Sequence, residues 1–235
     1  MNKFRKSLVG TLVCELRFPT LLEFGDSSPP AVLVKRLRKK YPQLEKVSEV
    51  TFSGEFSGGK PVHSHVLRSL RGSWAVSVKQ SSLSVESASY SGYADLKARV
   101  QEVLDAAKDV IDSDFWTRIG LRYMNTLRNG AEESFEGWLN PELVAPILSE
   151  GLGLIDDFQG RIVCGEPSGR AGFLLQHGIK RDAPREVPKY NIDIDAYYNE
   201  VSLGDTISIL DGLHGVAFNV FDWSLGDKAR QFLYS

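Results

Sequence analysis

Two stretches of the sequence carry an arginine in the same local setting. One reads Leu-Arg-Phe-Pro-Thr-Leu from Leu16 and the other reads Leu-Arg-Tyr-Met-Asn-Thr-Leu from Leu121, so Arg17 and Arg122 are equivalent if one residue is skipped. Side chains alternate between the faces of a β-strand, which predicts that both arginines point away from the apolar face. A guanidinium group offers planar, forked donors that match phosphate and carboxylate oxygens. The two stretches therefore predict a surface that binds an anion or an acidic partner.

The same predicted surface carries further polar residues. Glu15 and Arg118 have the parity of the two arginines, and Asn125 lies near the end of the second stretch. We take Glu15, Arg118 and Asn125 as ligand-binding candidates together with the arginines. The structural alternative is a ladder of cross-strand ion pairs in which Glu15 neutralises an arginine. Asn125 differs in parity from Arg122, which predicts a bulge or a strand end near Met124.

Asp193 and Asp195 share one face of a later predicted strand, with Ile194 between them on the other face. Alternate carboxylates can hold a divalent cation or act as an acid–base pair, so a metal-dependent hydrolase is an alternative function. No third acid stands at a spacing that would complete such a site, and a solvated polar face explains the pattern more simply. A further alternative is that Asp193 and Asp195 neutralise Arg17 and Arg122 across the sheet. Both aspartates join the ligand-binding candidates.

The four histidines do not form a recognisable metal or catalytic pattern. His63 and His65 share a strand face but lack further ligands at a zinc-like spacing. His177 and His214 fall among apolar side chains, which predicts packed, hydrogen-bonded core histidines. The signatures GxGxxG, GxxxxGK(S/T), HExxH and GxSxG are absent from the sequence. We therefore predict no cofactor, no metal and no catalytic residue, and we leave enzymatic activity open.

Residues 35–40 form a basic run, Lys-Arg-Leu-Arg-Lys-Lys. On a helix these charges alternate with Leu33 and Leu37, which favours a solvated helix face. A nucleic-acid-binding module that uses this helix is a second alternative function, although no aromatic residues are interleaved with the charges. The net charge of −2 gives no overall attraction to nucleic acid or to an anionic membrane.

Length and composition are those of a globular protein. The 235 residues suffice for one large domain or for two closely packed halves, and either arrangement can bury a sizeable core. Cys14 and Cys164 stand far apart without metal-ligand spacing, which favours free thiols in a reducing compartment. An apolar run near the N-terminus is short and interrupted by Glu15 and Arg17, unlike a signal peptide. We expect a cytoplasmic protein that does not cross a membrane.

Hydrophobic periodicity predicts the order of strands and helices. The predicted strands are 9–18, 47–56, 62–70, 73–79, 83–88, 116–127, 155–165, 172–180 and 188–201. The predicted helices are one from the proline pair at 29–30 to about 40, then 93–111, 135–148 (broken by Pro141 and Pro146), 205–221 and 227–233. Short connections at 57–59, 71–72 and 80–82 predict hairpins, and hence antiparallel neighbours.

This order predicts an α+β protein of two pseudo-repeated β-α-β(3-4)-α halves, residues 1–113 and 114–235, that share one core. The second half has one strand fewer, which is missing or hidden within 190–201. We expect an antiparallel sheet with helices mainly on one face. Such a half is similar to those of the TATA-binding-protein-like and helix-grip folds, a topological likeness that transfers no activity.

Four segments together resemble a sporadically distributed bacterial family of uncharacterised proteins. They are Gly-Leu-Arg-Tyr-Met-Asn from Gly120, Cys-Glu-Leu-Arg-Phe from Cys14, the segment 90–100, and Leu213-His214 ahead of Phe218. The resemblance covers most of the chain, and the Gly-Leu-Arg-Tyr-x-Asn motif is its most specific part. It implies no assigned biochemistry. The patchy distribution of such a family implies an accessory role, for example in a mobile or defence cassette.

The sequence as a whole favours a non-enzymatic binding module. Its predicted binding surface is the mixed-polarity sheet face around Arg17 and Arg122, and its ligand is a protein or a small anion. Nucleic acid and membrane are not expected partners. The sequence does not predict the identity of the ligand or the oligomeric state.

Overall fold

The structure is a computed structural model that describes residues 4–25, 28–49, 62–128, 134–153, 155–180 and 189–235. Over these ranges the protein is α+β, with a nine-stranded antiparallel sheet and five α-helices. No helix in these ranges is long and apolar enough to cross a membrane. The α+β class and the antiparallel sheet predicted from the sequence are confirmed.

The elements follow the predicted order closely. The strands are β1 Val9–Arg17, β2 Gln43–Glu49, β3 Val62–Arg68, β4 Trp74–Lys79, β5 Ser82–Ser87, β6 Phe115–Leu127, β7 Asp157–Gly165, β8 Ala171–Lys180 and β9 Lys189–Ser202. The helices are α1 Ala31–Leu37, α2 Tyr93–Ala107, α3 Pro141–Val144, α4 Thr206–Ser224 and α5 Asp227–Tyr234. The strand order in the sheet is β2-β3-β4-β5-β1-β6-β9-β8-β7.

The chain forms two compact units. The first unit comprises Met1–Leu12, Leu121–Tyr197 and Gly212–Ser235, and the second comprises Val13–Gly120 and Tyr198–Asp211. These units are defined by proximity in space, whereas the halves 1–113 and 114–235 are defined by the order of elements along the chain. The two halves remain a prediction.

The second unit contains the antiparallel meander β2 to β5. Its registers pair Leu67 with Val76 and Val76 with Val85, so apolar side chains of successive strands pack side by side. Five of the six residues of β4 are buried, as expected for a strand inside the meander. The hairpins predicted at 71–72 and 80–82 are confirmed. The turn at 57–59 and the predicted strand residues 50–56 lie outside the described residues.

The helices of the second unit end earlier than their periodicity predicts. α2 buries the predicted stripe, which includes Leu96, Val100 and Val103, and burial of each such side chain contributes ~1.5–3 kcal/mol. It ends at Ala107, and a tighter turn follows. α1 ends at Leu37 because the chain must leave the helical region before the Tyr-Pro sequence at 41–42.

In the first unit, β9 separates apolar from polar residues. Tyr190, Ile192, Ile194 and Ala196 are fully buried, and the residues between them are not. This confirms the predicted alternation. β9 is one unbroken strand, so a fourth strand hidden within 190–201 is wrong.

The helix predicted at 135–148 is only the single turn α3. Proline at position 141 is compatible with a helix start because a first-turn N–H has no helical partner. Asn140 caps this turn, and its Oδ1 accepts a hydrogen bond from the N–H of Glu142 over 3.0 Å. Pro146 cannot continue the helix, so the turn ends before it.

A buried hydrogen bond in the second unit gives a test of the packing. The indole N–H of Trp116 donates to Oγ1 of Thr206 over 2.6 Å, and both residues are 1 % exposed. We expect Thr206→Val to lower the free energy of unfolding by ~1–3 kcal/mol, because the isosteric side chain leaves the indole N–H unsatisfied.

Urea denaturation measures this loss. Thr117→Val, at an exposed position of β6, is the matched control and should change stability by less than ~0.5 kcal/mol. Equal stability of the two variants would contradict the buried hydrogen bond.

Candidate functional site

In the second unit, Glu15 forms ion pairs with two of the candidate arginines, Arg17 and Arg118. Its Oε2 accepts hydrogen bonds from Nε of Arg17 over 2.7 Å and from Nη1 of Arg118 over 3.5 Å. The guanidinium of Arg118 covers Gly120, where an added Cβ would clash with it. The ion pair predicted for Glu15 is therefore present. Arg17 nevertheless keeps 52 % of its side chain exposed.

In the first unit, Arg122 of β6 and Asp193 of β9 form a forked ion pair. Nε of Arg122 donates to Oδ1 of Asp193 over 2.8 Å, and Nη2 donates to Oδ2 over 2.5 Å. These hydrogen bonds are the main cause of a pKa of Arg122 above its ordinary value, and the charges of Asp193 and Asp195 add to it. The predicted neutralisation is confirmed for Arg122 and Asp193. It is wrong for Arg17, which pairs with Glu15.

Asn125 lies on the buried face of β6, opposite to the arginine-bearing face. It is 3 % exposed, and its amide donates to the carbonyl oxygen of Ile192 over 3.1 Å. A buried amide needs such a partner, because an unsatisfied one costs ~1–3 kcal/mol. β6 runs past Met124, and its buried positions alternate from Leu121 to Leu127. The bulge or strand end predicted near Met124 is therefore wrong.

A groove of about 520 Å³ lies over β7, β8 and β9 in the first unit. The register of β7 and β8 places Gln159 beside Gly178 and Arg161 beside Gln176, so these residues share one face of the sheet. Besides His177, the polar residues that line the groove are Gln159, Arg161, Gln176, Asn191 and Asp193. Asp193 is the member of this set that the sequence analysis had selected.

Gly178 supplies the floor of the groove. Its φ of 150° lies where L side chains are rare, and an added Cβ would clash with the carbonyl oxygen of Phe158. The position must therefore remain without a side chain, while long polar side chains project beside it. This difference in side-chain length produces the concavity.

On the other face of β8, beneath the groove, lies the buried His177. Its ring covers Gly160, where an added Cβ would clash with the imidazole. Nδ1 lies 2.7 Å from the hydroxyl of Tyr190, which in turn donates to the carbonyl oxygen of Leu143 over 3.4 Å. Burial lowers the pKa of His177, so the ring is neutral near pH 7. The predicted core histidine is confirmed at this position.

Arg161 gives the groove its net charge. Arg122 neutralises Asp193, and within the described ranges Arg161 makes no ion pair or side-chain hydrogen bond. The Thr126 hydroxyl donates to Oδ1 of Asn191 over 3.1 Å, so the NH₂ group of Asn191 remains available as a donor. An exposed guanidinium beside amide donors suits a carboxylate or phosphate oxygen.

Those residues of the hydrolase alternative that the structure describes, Asp193, Asp195 and His65, do not form a metal site. Among the described residues, no group of three His, Cys, Asp or Glu side chains could hold a metal ion. Asp193 is bonded to Arg122 and His65 is buried in β3. The side chain of His63 lies outside the described part of the chain.

Part of the basic run 35–40 is engaged in ion pairs. Nη1 of Arg36 donates to the carbonyl oxygen of Ala106, and Nη2 pairs with Asp109 over 2.8 Å. Lys40 pairs with Glu102 over 2.9 Å. These contacts attach the run to the C-terminal part of α2 and the turn after it, which agrees with a solvated helix face.

Sequence reasoning missed Gln159, Arg161 and Gln176 as site residues. Their strands were predicted, and a glycine inside a strand, as at Gly178, is a known sign of close approach. The missing information was the register of β7 and β8. That register brings an arginine, two amides and this glycine together on one face.

We expect Gly178→Ala to lower the free energy of unfolding by ~1–3 kcal/mol or more, because strain at positive φ and a backbone clash add. Urea denaturation measures the change. Gly151→Ala is the control, since its added Cβ meets Oγ of Ser149 at an ordinary 3.8 Å. A Gly178→Ala variant as stable as this control would contradict the geometry of the floor.

Comparison with protein-family models, with curated proteins and with solved structures finds no match to this chain. The geometry and charge of the groove are therefore the basis for assigning a function. They consist of an open concavity, hydrogen-bond donors and one cationic side chain.

Proposed function

We propose that the protein is a non-enzymatic binding module whose groove over β7, β8 and β9 binds a small anionic ligand. The observation that carries this proposal is Arg161, an exposed cation within the concavity that has no acidic partner in the described ranges. A concave site of this size suits a small molecule better than a flat protein contact. Of the two ligand classes expected from the sequence, the small anion is the one that we carry forward.

Arg122 and Asp193 have a supporting part in this proposal, and Asp195 contributes through its charge, which acts on Arg122. The forked pair orients the side chains of Arg122 and Asp193 at the side of the groove next to β6. It also cancels the negative charge that would otherwise repel an anion. Arg161 then acts as the anchor, with the NH₂ group of Asn191 as a second donor.

Several of the residues on which the hydrolase and nucleic-acid alternatives depend are engaged in ion pairs, so these residues do not support either alternative. Both oxygens of the Asp193 carboxylate accept a hydrogen bond from Arg122, and the adjacent guanidinium charge disfavours a cation there. Arg36 and Lys40 are bonded within the second unit.

Several finer expectations from the sequence belong to the same proposal. They are a pseudo-repeat of two β-α-β(3-4)-α halves, a TATA-binding-protein-like or helix-grip-like topology with helices mainly on one face, and a cytoplasmic accessory role in bacteria. The element order supports the pseudo-repeat, since each proposed half begins with a strand, continues with a helix and then a run of strands, and ends in a helix. The motif that begins at Gly120 supports the accessory role.

We expect Arg161→Gln to weaken binding of acetate and phosphate at least tenfold, since a charge-assisted hydrogen bond contributes ~1.5–3 kcal/mol. Titration followed by backbone amide NMR shifts, at constant ionic strength, measures the dissociation constants. Arg38→Gln removes an exposed arginine outside the groove and serves as the control. Loss of binding on Arg17→Gln but not on Arg161→Gln would contradict the proposed site.

The sign of the charge in the groove can be tested separately. Asp193→Asn keeps the shape of the side chain but removes its charge, so Arg122 loses its ionic partner. We expect acetate to bind about threefold tighter or more, because one negative charge that repels the anion is removed from the groove. Weaker binding in the same titration would contradict this electrostatic account of the groove.

A further inference from the structure

Apolar side chains continue the face of the sheet beyond the groove. Val163 follows Arg161 by two residues on β7, so it has the same orientation, and it is 55 % exposed. The register places Leu174 of β8 directly beside it, and Leu174 is partly exposed. The cationic anchor and this apolar pair are about 7 Å apart along the strand, since each residue advances the chain by ~3.3 Å.

Tyr197 bounds the apolar end of this face. Alternation along β9 puts it on the side of Asp193, and its hydroxyl covers Gly172, where an added Cβ would lie 2.7 Å from the oxygen. Gly172 pairs with Gly165 of β7 in the register. The two glycines thus make room for the tyrosine at the end of the β7–β8 pair.

The exposure of Val163 could be that of an ordinary surface residue with no function. Single exposed apolar residues are common on protein surfaces. β7, however, is the last strand in the sheet order, and strands in that position normally carry charged residues that prevent association. Val163 pairs with a second apolar residue, and this pair continues a groove that ends in a cation. Val163 is therefore not an isolated exposed apolar residue: with Leu174 and Arg161 it forms a surface that is apolar at one end and cationic at the other.

We infer that the ligand is an amphipathic carboxylate, with an anionic group at Arg161 and an unbranched apolar segment lying over Val163 and Leu174. This inference rests on the proposed function and adds the chemical class of the ligand. Charge complementarity selects the anionic end, and the spacing of about 7 Å along the strand selects a tail of about five carbon atoms. Inorganic phosphate would use the cationic end alone.

A chain-length series tests this inference. Acetate, butyrate, hexanoate and octanoate are titrated at constant ionic strength, and the amide NMR shifts give each dissociation constant. We expect binding to tighten about two- to fourfold per methylene group up to hexanoate, the gain expected for partial to full burial of each methylene, and then to level off. Phosphate should bind no tighter than acetate.

Val163→Thr is the matched variant because it keeps the shape and β-propensity of valine but makes the apolar pair half polar. It should leave the affinity for acetate unchanged and reduce the gain per methylene to less than 1.5-fold. Acetate bound at Arg161 with no gain for hexanoate would overturn this inference and leave the proposed function standing. No binding of any carboxylate would overturn both. If the affinity of Val163→Thr still increased two- to fourfold per methylene group, the apolar tail would not lie over Val163, and the inference would be contradicted.

Discussion

The forked ion pair between Arg122 and Asp193 determines the charge of the groove. It joins β6 and β9 on the face of the first unit that is not buried, and its side chains remain 44 % and 18 % exposed. A pair exposed to this degree contributes only ~0–1 kcal/mol to stability, so its main consequence is electrostatic. With Asp193 neutralised, Arg161 is left to attract an anion. The proposed function depends on the difference between Arg122, which is paired, and Arg161, which has no acidic partner among the described residues.

Strand alternation, together with Gly178 and Gly160, forms the groove in which Arg161 lies. On β8, Gln176 and Gly178 face the groove while His177, between them, packs over Gly160 on the buried face. The floor can therefore be deep without leaving a void below it. The same alternation on β9 buries Tyr190 against His177 and turns its polar residues outward. Core packing and the binding surface are thus two faces of the same strands.

Alternation is also what made much of the fold predictable. Period-two patterns located β6 to β9 to within a few residues, because the pattern is local and a strand with one buried face must follow it. Helix ends were less predictable, as at α3, where proline at 146 limits the helix to one turn. The site was not predictable because it depends on the register of strands that are far apart in the sequence. Arg17 and Arg122 have similar sequence neighbours, yet Arg17 pairs with Glu15, two residues away, and Arg122 pairs with Asp193, 71 residues away.

The side-chain Nε–Hε resonance of Arg161 reports most directly on the central claim, that this guanidinium anchors an anion. Titration with hexanoate, observed in ¹⁵N–¹H spectra with arginine assignments from single Arg→Lys variants, would follow it beside that of Arg122. We expect the Arg161 signal to shift saturably with the same dissociation constant as the backbone amides of β7 and β8, and the Arg122 signal to change little because Asp193 already occupies it. A saturable shift at Arg17 or Arg122 with none at Arg161 would contradict the proposed site.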